Sequence, residues 1–437
     1  MSGSNDLKYE RVSTHKLKAR ARSARKHSRK QIKQLADAIA RFGFTNPIVI
    51  DENYTIIAGR ARLEAAKLLG MAEVPTIQVS SMTEDEKRAY VLADNRLAEL
   101  SEWDFDVLGD ELQLLLDADL NFDIEITGFE AADFDRWTKQ PSQTEEKPVE
   151  LPGGAPVVTR EGDIWIMNGH RLLCGNALLA GSYEQLMQGK QAQMVFSDPP
   201  YNVPIAGNVS GLGKVKHREF AMASGEMSKP EFTRFLRTAF TRMAEVSIPA
   251  AIHFICMDWR HIGEIEEAGG AVYAGLKNVC TWAKDNGGMG TFYRSQTEFV
   301  FVFKVGPGKH INNFGLGDKG RYRTNLWTYA GANTFRKGRM EDLGDHPTVK
   351  PVQMVHDAIL DCSKPKGIIL DGFAGVGTTL VAAARAGRLG YGIELDPAYV
   401  DCAVRRLEKE LGSSARLSDG RTFAEVQAER HANREAA

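Results

Sequence analysis

Cysteine is scarce in this chain, with five among 437 residues, at positions 174, 256, 280, 362 and 402. No two of them form a CxxC pair. That spacing argues against a disulfide framework and a zinc site, and it suits a reducing compartment. The sequence also lacks any apolar run approaching the length of a membrane span. Its first residues, MSGSNDLKYE, contain no apolar signal-peptide core, so the expected location is the cytoplasm. An excess of one charge is missing too, the net being −2. Hydrophobic residues (43%) and charged residues (26%) are in ordinary globular proportion. The length has room for two or three domains.

Locally, acid is what is missing. Between Arg11 and Ala36 there are ten Lys or Arg and no Asp or Glu. Such a stretch is either a solvated arm or, through counterion release, a phosphate-contacting one. Residues 1–28 are read as this basic arm. Ile32, Leu35, Ala36, Ile39 and Phe42 share one helical face, and Gly43 closes that helix. The strand PIVID, a turn at Asn53-Tyr54 and the strand TIIAG follow. Helix RARLEAAKLLG, strand VPTIQV and further amphipathic helices complete a small α+β domain over 29–138. Residues 139–156 carry Pro, Gly, Ser and Glu with almost no apolar periodicity and read as a linker. From 157 to 411 strand and helix patterns alternate, which predicts an α/β doubly wound sheet. Residues 412–437 read as a polar, loosely ordered tail.

Two stretches of that second domain carry chemistry. The first, FSDPPYNV at 196–203, follows the strand pattern AQMVFS. Pro199 and Pro200 cannot donate to a sheet, so the strand must stop. Asp198 and Tyr201 are thereby fixed in a stiff turn at its tip. The bland alternative is a turn with Pro-Pro as stiffener. The second, GIILDGFAGVGTTLVAAARAGRLGYGIELD at 367–396, reads as strand, glycine loop, helix and strand. Glu394 lies 17 residues past Gly377, where a carboxylate can accept from ribose hydroxyls. No Lys follows the glycines, so this is not a phosphate-binding P-loop. Leu380 replaces the third glycine of the dinucleotide fingerprint. S-adenosylmethionine, with a ribose and no phosphate, suits the unit; a nicotinamide cofactor or a purely structural turn stays open.

FSDPPY with LDGFAGVGTT resembles the paired signature of amino-group DNA methyltransferases, which modify adenine N6 or cytosine N4. HPTVKP (346–351), GYGIELDPAYV (390–400), GDIWIMNGHRLLCGNA (162–177) and YRSQTEFVFVFK (293–304) also have that family's form. The order, DPPY before the glycine loop, is similar to its permuted β group, and the resemblance covers 157–411. It implies S-adenosyl-L-methionine as cofactor. It implies that Asp198, Pro199, Pro200 and Tyr201 act on a base flipped out of duplex DNA. An exocyclic base amine is a poor nucleophile. Asp198 and the Pro199 carbonyl can each accept one of its hydrogens and stabilise developing positive charge, while Tyr201 stacks on the base. Asp371, Phe373, Gly375, Gly377, Thr378 and Glu394 would line the cofactor site, with Lys350 beside it. Asn176 stands where the family usually has Asp, so that contact loses its charge. Asp before Pro-Pro favours adenine. The rival readings are a cytosine-N4 enzyme, an RNA methyltransferase and a non-catalytic DNA-binding regulator.

Residues 306–345 interleave cations with aromatics, and Arg321, Arg323, Arg336, Lys337 and Arg339 read as DNA contacts in a target-recognition insertion. A polar surface excursion is the alternative. The glycine-rich stretch after DPPY reads as a lid over the base. IIAGRARLEAAKLLGMAEVPTI (56–77) with AYVLADNRLAEL (89–100) resembles the ParB/sulfiredoxin-like domain. That likeness implies phosphate binding by Gly59, Arg60 and Arg62 at a helix N-terminus. Leu63 and Glu64 depart from the more arginine-rich box of the partitioning proteins, which argues against nucleotide hydrolysis. The implied partner is double-stranded DNA, with no membrane and no metal. A homodimer is left open, and no partner nuclease is identifiable.

Overall fold

The computed structural model describes residues 7–20, 25–118, 120–137, 156–203, 223, 225–285, 287, 292–317, 321–330 and 349–435. The chain divides into two units, Met1–Lys139 and Gln140–Ala437. Among the described residues, no helix is long and apolar enough to cross a membrane.

In the first unit, β1 (Leu7–Ser13), α1 (Arg29–Phe42), β2 (Ile48–Ile50), β3 (Ile56–Ala58) and α2 (Arg60–Leu68) come first. Then follow β4 (Glu73–Val79), α3 (Glu84–Ala98), α4 (Phe105–Asp117) and α5 (Ala131–Trp137). The sheet order is β1-β4-β2-β3. Ser28 caps α1 by accepting from Gln31 N, and Gly43 ends it at φ 83°. The Thr83–Glu86 capping box starts α3. Asp51 Oδ1 accepts from the Asn53 and Thr55 amides at 2.8 and 2.7 Å and so shapes the β2–β3 turn.

The basic arm expected over 1–28 is corrected in part. Residues 7–13 are an edge strand in antiparallel register with β4, from Leu7↔Val79 to Ser13↔Glu73. Val12 and Leu17 are buried. The cations obscured a strand because an edge strand carries Lys and Arg on its open side. Lys8 pairs with Glu10, and Arg11 with Glu73.

In the second unit the strands are β5 (Ile164–Met167), β6 (His170–Cys174), β7 (Ala192–Ser197), β8 (Ser247–Met257), β9 (Gly275–Ala283), β10 (Thr297–Lys304), β11 (Leu326–Thr328), β12 (Ile368–Asp371) and β13 (Leu389–Glu394). The helices are α6 (Ala180–Met187), α7 (Lys229–Glu245), α8 (Ile262–Val272), α9 (Val352–Cys362), α10 (Thr378–Arg385), α11 (Pro397–Leu411) and α12 (Phe423–Glu435). The sheet order is β11-β9-β10-β8-β7-β12-β13-β6-β5. The run β8-β7-β12-β13-β6 is parallel, and β10 lies antiparallel between β8 and β9. One core packs α6, α7 and α8 on one face of this sheet; another packs α9, α10 and α11 on the other. This is the doubly wound arrangement expected.

The chain winds outward from β7 in one direction and from β12 in the other. Neighbouring β7 and β12 therefore form a topological switch point, whose crevice opens at their C-terminal ends. Both motif turns leave from these two strands.

One further expectation is corrected here. Over its described residues, 412–435, the tail is not loosely ordered. Arg416 bridges Ile166 at the β5 edge, Phe423 and Val426 are buried in the main core, and Arg430 holds Val158 O and Asp163. A few apolar residues among many polar ones gave no periodicity to read. Part of the 306–345 insertion joins the sheet. Its β11 pairs in parallel with β9, and Trp327 is buried. A three-residue strand is too short to show alternation.

Candidate active site

The β7 strand stops at Ser197, and its hydroxyl donates to Asp371 Oδ1 at 2.8 Å, tying the two strand tips together. Beyond the prolines, Asn202 takes a left-handed φ of 53°. Its side chain donates to Met227 O at 2.7 Å and accepts from the Gly225 and Met227 amides at 3.1 Å each. Asn202 thereby pins both ends of the intervening loop, most of which (204–222) lies outside the described residues with the expected lid.

Around the DPPY turn the charges interlock. Tyr201 OH donates to Asp198 Oδ1 at 2.7 Å. Lys350 Nζ donates to Asp198 Oδ2 at 2.7 Å, lies 3.1 Å from Tyr201 OH and 3.0 Å from Glu298 Oε2. Lys284 pairs with the other Glu298 oxygen. The Lys350 amine is also 5.3 Å from the Tyr201 ring centroid, on the hydroxyl side of the ring. Burial would lower the Lys350 pKa, but Asp198 and Glu298 outweigh it and hold the amine well above its usual value. Burial would raise Glu298, yet Lys350 and Lys284 bring it down to about 2. Burial, reinforced by Asp198 and Glu298, pushes the Tyr201 phenol well up. The cluster thus balances Asp198 and Glu298 with two ammonium groups.

The glycine loop faces this cluster. Asp371 is buried and accepts from Ser197 Oγ, from Phe373 N at 3.0 Å and from Thr379 Oγ1 at 2.6 Å. Burial raises its pKa to about 6. Glu394, at the end of β13, accepts from Gly375 N and Asp396 N at 2.8 Å each, and withdrawal from water raises it to about 7. Gly375 (φ 51°) would have open space beside an added Cβ. Gly377 (φ 79°) would place one 2.8 Å from the Ala403 Cβ of α11. The second glycine therefore serves close helix packing rather than ligand approach.

One cavity of about 210 Å³ joins the two halves. Asp198, Pro199, Pro200, Tyr201, Glu298 and Lys350 line it together with Asp371, Phe373, Gly375, Thr378, Glu394 and Asp396. Glu298, Lys284 and Asn202 were not singled out from the sequence. The available signal for Glu298 was a lone acid at the head of the apolar strand FVFVF.

Several expected residues sit differently. Lys350 lines the cavity, but its amine serves Asp198 rather than the glycine loop. Asn176 Oδ1 accepts from Leu178 N at 2.9 Å, so it closes its own turn, and the wall there is Gly175 and Ala177. Thr378 Oγ1 accepts from Arg406 at 2.9 Å. Arg321 and Arg323 are not free to meet phosphate. They bond Asp361 of α9, at 2.8 Å each, and Arg323 also reaches Tyr329 OH at 3.1 Å. The physical reason is that Asp361 is buried and needs paired cations. Arg336, Lys337 and Arg339 lie outside the described residues. In the first unit, Gly59 (φ 98°) precedes α2, and the Arg62 guanidinium folds back over it. Arg60 is exposed beside it.

Residues 192–405 match the DNA methylase family, and residues 2–96 match the ParB N-terminal domain. The chain thus carries an N6/N4 DNA methylase domain, with a ParB N-terminal domain ahead of it in sequence. It is 47% identical over 68 residues to the ParB-like nuclease domain-containing protein YnaK of Escherichia coli K12, across 16% of this chain and 78% of YnaK. It is 29% identical over 236 residues to the type II methyltransferase M2.DpnII of Streptococcus pneumoniae, across 51% of this chain and 85% of that protein. Among solved structures, the SAM complex of M1.HpyAVI aligns over 54% of this chain and 98% of its own, at 21% identity and TM-score 0.39. The cytosine-N4-specific PvuII DNA methyltransferase aligns over 55% and 86%, at 14% identity and TM-score 0.38.

Methyl transfer in this family draws on S-adenosyl-L-methionine, and the cavity suits it. Five carboxylates line the cavity, at Asp198, Glu298, Asp371, Glu394 and Asp396, and its single lysine is already paired with two of them. A pyrophosphate would be repelled there, whereas a sulfonium cation with a neutral ribose would be attracted. The dinucleotide alternative loses its support on this ground.

Proposed function

We propose that this chain methylates the exocyclic N6 of adenine in double-stranded DNA. The observation that carries the reading is the single cavity in which the DPPY turn faces the glycine loop. S-adenosyl-L-methionine supplies, when bound, an electrophilic sulfonium methyl. Glu394 and the Gly375 backbone hold the ribose side, and Phe373 walls the cavity. Asp198 keeps an unused lone pair on each oxygen even with Tyr201 and Lys350 bound, so it accepts a hydrogen of the base amine. The Pro199 carbonyl, outside any ladder, accepts the other. Both acceptors are held in place before the reaction, Asp198 by Tyr201 and Lys350 and Pro199 by its ring. The ring of Tyr201 packs on the flipped base. Asp rather than Ser before Pro-Pro supports adenine over cytosine.

The test is nucleoside mass spectrometry of unmethylated DNA after incubation with the full chain and labelled cofactor, with Asp198→Ala as control. New N6-methyladenine, absent in the control, is the expected result. N4-methylcytosine would correct the base and keep the mechanism. Silence from both proteins would refute the reading.

A further inference from the structure

We propose that Phe292 and Tyr293 form a stacking surface for DNA bases next to the target, a reading that rests on the proposed DNA methylation. Both β8 and β9 are antiparallel to β10, so they run the same way, and the end of β9 lies on the catalytic edge of the sheet. The loop from β9 to β10 leaves from that edge. Its base is closed by Lys284 N to Gln296 O at 2.9 Å and by Gln296 Nε2 to Lys284 O at 2.8 Å. It is flanked by Lys284 and Glu298, whose side chains belong to the network around Asp198 and Tyr201. The loop is rooted in the active site itself.

What the loop presents is unusual for a protein surface. Phe292 is 87% exposed and Tyr293 82% exposed, with ring centroids 4.7 Å apart. Single exposed apolar residues need no explanation. Two rings held together beside a cation do. Arg294 is exposed next to them, and its Cβ faces Gly287 so closely that a side chain there would come within 3.2 Å. A second pair sits on the same edge after β8, where the Arg260 guanidinium lies 5.1 Å from the half-exposed Trp259 ring. Aromatic faces beside guanidinium groups bind unstacked bases irrespective of sequence. Extrusion of the target base leaves such faces on its neighbours and on its orphaned partner. Tyr293 is five residues from Glu298, so it lies within about 17 Å of the catalytic cluster, inside the footprint of a duplex on this edge.

The experiment compares the full chain with three double variants on unmethylated duplex plasmid DNA. These are Phe292→Ala/Tyr293→Ala, Phe292→Leu/Tyr293→Leu and the swap Phe292→Tyr/Tyr293→Phe. Methylation kinetics and S-adenosylhomocysteine affinity are read together. The alanine and leucine pairs are expected to lose about 10- to 100-fold in kcat/KM. The swap is expected to stay within about threefold of the natural chain, and cofactor affinity should not change in any variant. Natural activity in the alanine pair, or restoration by leucine, would overturn the stacking role. A drop in cofactor affinity would overturn it too, by showing that the loop props the pocket. If the natural chain methylates nothing, the parent reading fails, and this one with it.

Discussion

Lowering the pH from well above neutrality to 6 is expected to weaken cofactor binding about 11-fold through one side chain, Glu394. Withdrawal from water raises this carboxyl from 4.5 to about 7, against the Gly375 and Asp396 amides that favour its anion. The group is raised in the folded state, so its stability contribution is present below pH 4.5 and is lost as pH rises through about 7. A ribose whose hydroxyls donate to the carboxylate selects the ionised form. With only that form competent, the apparent Kd scales as 1 + 10^(7−pH). This is about twofold at pH 7 and about 11-fold at pH 6, with a plateau above. Isothermal titration with S-adenosylhomocysteine between about pH 5.5 and 8.5, in two buffers of different ionisation heat, measures affinity and proton release together. Binding below neutrality should release a proton. Glu394→Gln should flatten the profile above pH 6 and weaken binding throughout. Asp371, raised to about 6, steepens the fall at the acid end in both proteins. A natural chain whose affinity is constant from pH 6 to 8, or a Gln variant with the same slope, would refute the reasoning.

Four substitutions test the rest of the structure. Lys350→Met leaves Asp198 and Glu298 without their shared ammonium, and chemical denaturation should show a loss on the order of 3 kcal/mol; unchanged stability would remove the network from the account. Gly377→Ala combines a φ of 79° with a contact 2.8 Å from Ala403, and should cost about 1–3 kcal/mol. Gly375→Ala, with open space around it, should cost less in the same denaturation comparison, and the reverse order would contradict the packing role. Arg323→Ala should destabilise the fold by about 1–3 kcal/mol through Asp361 while leaving the salt dependence of DNA binding unchanged. A slope reduced by about 1 would instead make Arg323 a phosphate contact.

The sequence by itself determined whatever short-range backbone chemistry controls. Pro199 and Pro200 had to end β7, and Gly375 and Gly377 had to turn between β12 and α10. The alternation of strand and helix from 157 onward left little choice but a wound sheet. Those constraints act over a few residues, through missing N–H groups and positive φ angles, and are legible one residue at a time. Tertiary structure alone decided which of these turns would meet. Lys350 reaches Asp198 across 152 positions of sequence, and Ser197 reaches Asp371 across 174. Glu298 joins them only because β10 is threaded between β8 and β9. Cations were the least legible. Arg321 and Arg323 read as DNA contacts until a buried Asp361 claimed them, and the basic N-terminal stretch hid an edge strand. A charge has no intrinsic partner in sequence; its role is set by the nearest opposite charge that burial has stripped of water, and only the fold determines where that is.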